Sequence, residues 1–267
     1  MDFQLFVICA LTFVIHLIGT LAFAVRIAGV RTRRIALSLS LFNVLVLVSR
    51  TAYSFQAPFL AKRIEENIRL AVTTGVLADF RWLLLTATLA TLAGGLLIPT
   101  TQRIFYFAVQ HFQQHRSVAK LLLHTFFKGG ILQVREVMAV PSAANLRHKP
   151  ISHVLSTRII ALNVFSVALW TVGVFASLYA GYLNPELRVT SSQLSAIING
   201  VATIMMFILV DPQVSVMTDD VIEGKITEPE FRKAIVWLVG SRVAGTLLAQ
   251  ALFVPAAHLV VTVAELV

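Results

Sequence analysis

Six apolar stretches, each long enough to cross a membrane, constrain this chain more than any other feature. They cover residues 3–25, 35–57, 74–98, 159–183, 193–215 and 234–263. A helix of about 20 apolar residues crosses the ~30 Å hydrocarbon layer. Only 13% of the residues are charged, whereas soluble domains have about 25%. We therefore expect an all-α polytopic membrane protein with six transmembrane helices, and a soluble enzyme is disfavoured.

The charges around the first stretch predict its orientation. Asp2 precedes it, and Arg26, Arg31, Arg33 and Arg34 follow it. A cleaved secretory signal has its basic residues before the apolar core, so this order predicts an uncleaved helix with its N-terminus outside. Alternation along the chain then places fifteen Lys and Arg residues in inside loops and four in outside loops, as the positive-inside rule requires. The four arginines are expected to recruit anionic headgroups at the cytoplasmic face.

A basic segment separates the third and fourth stretches. Residues 99–158 contain eight Lys and Arg, one acid and five of the seven histidines. Their apolar residues recur at helical spacing, which predicts an amphipathic cytoplasmic segment on the membrane surface. Its function is either to bind anionic lipid or substrate headgroups, or only to fix topology. It divides the chain into two three-helix halves of opposite topology, 1–98 and 159–267, an arrangement from which many transporters build a site.

Several polar side chains lie within the predicted spans. A charge at a helix centre costs about 2.5–3.5 kcal/mol on insertion scales, so such residues usually face a protein-lined cavity. The ionisable ones lie at successive depths, with Arg242 low, His16 in the middle and Arg50 and Arg81 high. Arginine binds phosphate oxygens through paired hydrogen bonds, so the pattern favours a route for an anion. The candidate substrate-binding residues are His16, Asn43, Arg50, Arg81, Arg242 and Gln250.

Other interpretations of these residues stay open. Arg50 lies close enough to the outer end of its span to snorkel to the interface, and residues 79–82 are typical of an interfacial anchor. A hydrogen bond between helices is the commonest role for a histidine such as His16. If all the charges proved interfacial, the protein would be a scaffold that transports nothing.

The remaining motifs favour neither a cofactor nor a metal. No phosphate-binding glycine loop, nucleophile elbow or zinc-protease helix is present in the sequence. His111 and His115 lack a third ligand, and Asp219-Asp220 does not match a calcium loop. Thr227-Glu228-Pro229-Glu230 predicts a helix start with a capping box. Nucleic acid is disfavoured because the aromatic residues lie mostly in apolar runs.

Five segments of the sequence resemble one known family. They are residues 13–20, 26–32, 49–52, 209–212 and 219–220, and the resemblance is to the Amj ("alternate to MurJ") family of bacterial lipid II flippases. The resemblance implies a cytoplasmic-membrane protein, without a cofactor, that moves undecaprenyl-diphosphate-linked disaccharide-pentapeptide from the inner to the outer leaflet. It implies lipid II, membrane lipids and cell-wall synthases as partners. A carrier of small anions or other solutes and a membrane enzyme acting on prenyl phosphates remain alternatives.

Overall fold

The computed structural model describes residues 2–72, 74–115, 138–139 and 154–267. Six helical spans are long and apolar enough to cross a membrane, which confirms the predicted all-α polytopic architecture. The fifth span, Pro185–Ile222, consists of several consecutive pieces, and each of the other five is one helix. The helices are α1 Phe3–Thr32, α2 Ile35–Arg69, α3 Val76–His115, α4 Thr157–Leu183, α5 Arg188–Gln193, α6 Ser195–Ile204, α7 Asp211–Ile222 and α8 Glu228–Leu266.

The third helix is longer than the apolar pattern predicts. It continues past residue 98 to His115, through Pro99, so the first part of the basic segment is an extension of α3. Most of the remaining amphipathic segment lies outside the described residues.

Local sequence signals account for several helix ends. The Asp2 carboxylate accepts a hydrogen bond from the Leu5 backbone N–H (2.8 Å) and caps α1. Arg33 ends that helix in the left-handed conformation at φ 52°. The capping box predicted before α8 is confirmed, because Thr227 and Glu230 exchange backbone and side-chain hydrogen bonds. These caps satisfy backbone groups that would otherwise be unpaired at the membrane boundary.

The two halves pack their helices in the same pattern. In the first half, α1 packs along α3 and α2 lies on α1; in the second, α4 packs along α8 and the fifth span lies on α4. The two halves meet mainly where α3 packs against α8. The helices of the two halves therefore correspond in their neighbours: α1 corresponds to α4, α2 to the fifth span, and α3 to α8.

One glycine in each half permits the same close helix contact. A Cβ on Gly94 of α3 would lie 2.7 Å from the Thr20 Cβ and 3.2 Å from the Leu17 carbonyl oxygen of α1. A Cβ on Gly245 of α8 would lie 2.8 Å from the Val167 Cβ and 2.6 Å from the Val164 carbonyl oxygen of α4. In both halves the glycine contacts a backbone carbonyl and the side chain of the residue three positions after that carbonyl. Small residues let membrane helices approach in this way.

The apolar core is shared at one end of the bundle and divided at the other. We call the end with the α2–α3 turn the Asp2 end, and the end with the α1–α2 and α7–α8 turns the Arg31 end. At the Asp2 end, one cluster joins side chains of α1, α2, α3, α4 and α8. At the Arg31 end, α2 packs in a cluster with α1 and α3, while the fifth span packs in a separate cluster with α1 and α8. The fifth span has its own cluster at the Asp2 end too, where Leu194 packs with α4 and α8. What changes along the bundle is therefore the packing of α2, which among the described residues shares a core cluster with the second half only at the Asp2 end.

We expect Gly94→Ala and Gly245→Ala to destabilise the protein by about 1–3 kcal/mol each, because the new methyl group meets backbone or Cβ atoms that have no room to move. Gly240→Ala is the matched control on α8, since no heavy atom lies within 4 Å of its Cβ position. The control should be neutral or slightly stabilising, because alanine favours helix over glycine. Thermal unfolding in detergent measures all three, and unchanged melting of both tight-contact variants would contradict the packing described.

Candidate functional site

Arg242 of α8 points into the bundle toward α1. Its guanidinium Nη2 lies 2.9 Å from the position that a Cβ on Gly19 would occupy, so the missing side chain at residue 19 makes room for it. The Arg242 Nε is buried and has no hydrogen-bond partner within the part of the chain that the structure describes. A buried guanidinium with an unused donor is a strong potential binder of an anion, since an unpaired buried polar group is costly.

His16 lies one turn from Gly19 on the same face of α1, nearer the Asp2 end. It is only 6% exposed and is close enough to Arg242 for an electrostatic interaction. Two neighbouring basic groups disfavour each other's charged forms, whereas an anion between them favours both. The structure therefore places two of the sequence-predicted site residues, from different halves of the chain, beside each other in the middle of the bundle.

Arg26 extends this basic group toward the Arg31 end. Its Nη1 donates to the Ser215 hydroxyl of α7 (3.1 Å), and its charge interacts with those of Asp211 and Asp219. Asp211 also interacts electrostatically with Arg242, so one carboxylate serves two arginines. We call His16, Arg26, Arg242 and Asp211 the basic cluster.

The sequence analysis did not include Asp211 among the site residues. It begins α7, directly after a π-helical segment, Met205–Val210, and directly before Pro212. Segments of π-helix are rare in proteins, and those that occur are often at functional sites. An Asp-Pro pair at the end of an apolar run was the available signal, because a charged residue within a span usually faces the protein interior.

Arg81 and Gln250 form a second polar site at the Asp2 end. The Arg81 Nη1 donates to the Gln250 side-chain oxygen (3.1 Å) and backbone oxygen, and the Gln250 Nε2 donates to the Arg81 carbonyl (3.1 Å). The guanidinium carbon lies 5.7 Å from the centre of the Phe253 ring. Both residues line an open cleft of about 620 Å³ together with Trp82 and Leu85. Gln250 therefore pairs with Arg81 across α3 and α8, and not with Arg242.

The other predicted residues lie apart from both sites. Arg50 and Asn43 are exposed on α2, Arg31 pairs with Glu228 (2.7 Å), and Arg33 and Arg34 are exposed in the α1–α2 turn. The graded series of charges expected from the sequence is thus divided into the basic cluster, the Arg81 cleft and the exposed flank of α2.

An ion cluster at the Asp2 end had no counterpart among the predicted site residues. The Arg63 guanidinium contacts the carboxylates of Asp79 and Asp2, each at 2.7 Å. It ties α2 to α3 and to the start of α1. No sequence pattern joins residues so far apart, although Asp2 and Asp79 are charges near predicted span ends.

A polar and aromatic group at the middle of the bundle was also missed. The Asn199 Nδ2 of α6 donates to the Tyr53 hydroxyl of α2 (2.9 Å), and the Tyr53 ring stacks on Trp170 of α4 at 6.0 Å between centroids. A Cβ on Gly173 would lie 2.2 Å from the Asn199 Oδ1. Three spans therefore meet at one hydrogen-bonded group.

Within the described ranges, no three His, Cys, Asp or Glu side chains come close enough together to hold a metal ion. The sequence pair His111 and His115 lies at the end of α3, where the side chain of His115 is outside the described residues.

Comparison with known proteins identifies the family. The family model Amj, described as "Alternate to MurJ", matches residues 11–264. The chain belongs to the Amj family. It is 38% identical over 255 residues to the Bacillus subtilis (strain 168) protein named "Lipid II flippase Amj", a match that covers 95% of this chain and 94% of that protein. No solved structure matches the chain. The Amj match spans both halves and therefore every residue of the basic cluster.

We expect Gly19→Ala to impair this Amj chain's transport while the fold persists. The new methyl group would lie 2.9 Å from the Arg242 Nη2, and the end of a flexible side chain moves aside at little cost. The guanidinium would leave its position beside His16. We predict a several-fold loss of transport activity with a melting temperature close to that of the native protein. A variant that melts normally and transports normally would show that the position of Arg242 is unimportant.

The Asp2 cap gives a prediction on pH. The hydrogen bond from the Leu5 N–H, and then that from Arg63, lower the pKa of the Asp2 carboxyl below its ordinary 3.8. A lowered pKa in the folded state means that the ionised group stabilises the fold above pH 3.8 and that this stability disappears as the pH falls further. Asp2→Asn keeps a capping side chain but removes the charge. Its destabilisation, a few tenths to about 1 kcal/mol because the site is exposed, should shrink below pH 3.8 in a denaturation series.

Proposed function

We propose that this chain is a lipid II flippase of the bacterial cytoplasmic membrane, moving the lipid-linked peptidoglycan precursor from the inner to the outer leaflet. The observation that carries the proposal is the 38% identity, over 95% of the chain, to a protein named as a lipid II flippase. Six helices of the described residues are long and apolar enough to span a membrane, which is consistent with a transporter. The role is that of a transporter and not of an enzyme, because a flippase makes and breaks no bond of its substrate.

The basic cluster is the proposed binding site for the diphosphate. A diphosphate in hydrocarbon needs compensating charge, and Arg26 and Arg242 supply two guanidinium groups from different helices. Forked guanidinium donors match phosphate oxygens in geometry and charge. In the absence of substrate, Asp211 is the counter-ion of both arginines. The incoming diphosphate takes its place, so the arginines are never left unpaired in the membrane.

The remaining predicted residues act before and after this site in the proposed route. Arg31, Arg33 and Arg34 at the Arg31 end attract the anionic headgroup from the cytoplasm, where charges near the surface are effective. Arg50 and Asn43 on α2 lie beside the path of the headgroup, and the prenyl tail stays in lipid. Arg81 and Gln250 receive the headgroup in the cleft at the Asp2 end. This order requires the N-terminus to be outside the cell, as the loop charges predict.

Two other functions make different predictions. A carrier of small anions would produce flux into liposomes that contain no lipid-linked substrate. An enzyme acting on prenyl phosphates would change its substrate chemically, although no group of metal ligands is present among the described residues. Cell-wall synthases, the partners that the proposed task suggests, would be detected by cross-linking in cells.

Arg242→Ala tests the proposed site most directly. We expect it to lower the export of lipid II at least tenfold, because the diphosphate loses a buried guanidinium, while Arg242→Lys keeps the charge and part of the activity. The measurement is the amount of lipid II in the outer leaflet of cells that depend on this chain alone.

Arg188→Ala is the matched control, since Arg188 begins α5 with an exposed side chain and its removal should leave export within twofold of native. Membrane levels of each variant are measured in parallel. Full export by Arg242→Ala would overturn the proposed site, and a native chain without any export would overturn the proposed function.

A further inference from the structure

We propose that the hydrogen bond between Tyr53 and Asn199 is a gate that closes the seam between α2 and the fifth span at the middle of the bundle, leaving the seam open toward the Arg31 end. The proposal rests on the proposed function, since it assigns the gate to the path of the lipid headgroup. It concerns residues that neither the family match nor the basic cluster identifies.

The division of the core gives the first support. On the Asp2 side of Tyr53, side chains of α2 such as Leu60 and Ile64 share one core cluster with α4 and α8. On the Arg31 side, Leu41 and Phe42 of α2 share a cluster with α1 and α3 among the described residues, and Val214 and Met217 of the fifth span belong to another cluster. Tyr53 therefore lies where the shared packing of α2 and the second half ends.

The bond itself joins two spans that otherwise barely touch. In the part of the chain that the structure describes, α2 and the pieces of the fifth span do not pack along each other. The Asn199 Nδ2 nevertheless reaches the Tyr53 hydroxyl at 2.9 Å. A single hydrogen bond between membrane helices stabilises their contact by about 0.6 kcal/mol on average. This bond is therefore weak enough to break and re-form as the seam opens and closes.

Asn199 is also only partly satisfied. Its Oδ1 is buried, with no hydrogen-bond partner among the described residues, and it occupies space that exists only because residue 173 is glycine. An amide that leaves an acceptor unpaired gains by exchanging its partners. A headgroup rich in hydroxyl and amide N–H donors offers that exchange, and the partly buried rings of Tyr53 and Trp170 are aromatic surfaces on which we expect a sugar ring to pack.

The repeated packing of the two halves predicts the other state of the gate. α2 and the fifth span have equivalent helix neighbours in the two halves and run in opposite directions. Transporters built from inverted repeats reach their second state by motion of one repeat against the other. Arg50 lies three residues from Tyr53 and Thr203 lies four residues from Asn199, each about one helical turn toward the Arg31 end. When Tyr53 and Asn199 separate, we expect the seam to close at Arg50 and Thr203.

Labelling of a cysteine below the gate tests the proposal. The chain has one cysteine, Cys9, which is buried and is replaced by serine in the test protein. Thr203→Cys then reports on the seam. We expect a membrane-impermeant thiol reagent to label it from the Arg31 side and hardly at all from the Asp2 side. Tyr53→Phe and Asn199→Ala should raise labelling from the Asp2 side at least threefold.

Another hydrogen bond between a side-chain amide and a hydroxyl provides the matched control variants. Asn163 of α4 donates to the Ser241 hydroxyl of α8 (2.7 Å), a bond inside one half that motion between the halves leaves intact. Ser241→Ala and Asn163→Ala should not change the side from which Thr203→Cys is labelled. Equal labelling from both sides in the otherwise native chain, or equal increases in the gate and control variants, would overturn the gate.

Cross-linking separates failure of the gate from failure of the proposed function. A reducible reagent with two thiol-reactive groups, applied to the Tyr53→Cys, Asn199→Cys protein, should abolish lipid II export, and reduction should restore it. The same reagent on Asn163→Cys, Ser241→Cys should leave export unchanged. If the cross-linked gate exports lipid II normally, the gate is wrong. If labelling behaves as expected but the native chain exports no lipid II, the gate stands and the proposed function fails.

Discussion

The central physical constraint is the presence of guanidinium groups at membrane depth. Arg242 lies within an apolar stretch, where hydrocarbon offers no water, and Arg26 directly follows one, so the protein must provide part of their surroundings. It does so with Asp211 and Ser215 on the fifth span and with the space above Gly19 on α1. The contact between α1, α7 and α8 therefore combines this polar group with the apolar side chains of one core cluster. The two arginines share Asp211, and the Arg242 Nε has no hydrogen-bond partner among the described residues, so the site retains a donor for an anion.

Hydropathy was sufficient to predict the six-span, all-α architecture of the described residues. All six spans were predicted from apolar runs, because a long apolar segment can cross the membrane only as a helix or as part of a closed β-barrel. The extent of the helices was less predictable, since polar continuations such as that of α3 to His115 depend on contacts and not on hydropathy. The Thr227 capping box was readable because its residues are neighbours in sequence.

The candidate site was only partly accessible from the sequence. Insertion cost singled out His16, Arg81 and Arg242, but not their partners, because pairing depends on how helices cross. Gln250 lies in the same predicted span as Arg242, whereas packing of α3 against α8 brings it to Arg81. Tyr53 and Asn199 escaped notice for a related reason. Neither residue is unusual in a membrane helix. Their hydrogen bond becomes apparent only when the structure places α2 beside the fifth span.

The π-helical segment Met205–Val210 has a mechanical consequence. A π-turn holds one residue more than an α-turn, and each residue of an α-helix advances the winding by about 100°. Conversion of this segment to regular α geometry would swing the Asp211 carboxylate around the helix axis, away from the two guanidinium groups that it neutralises. A local change of helix type in the fifth span would therefore rotate Asp211 by a large angle relative to the two arginines.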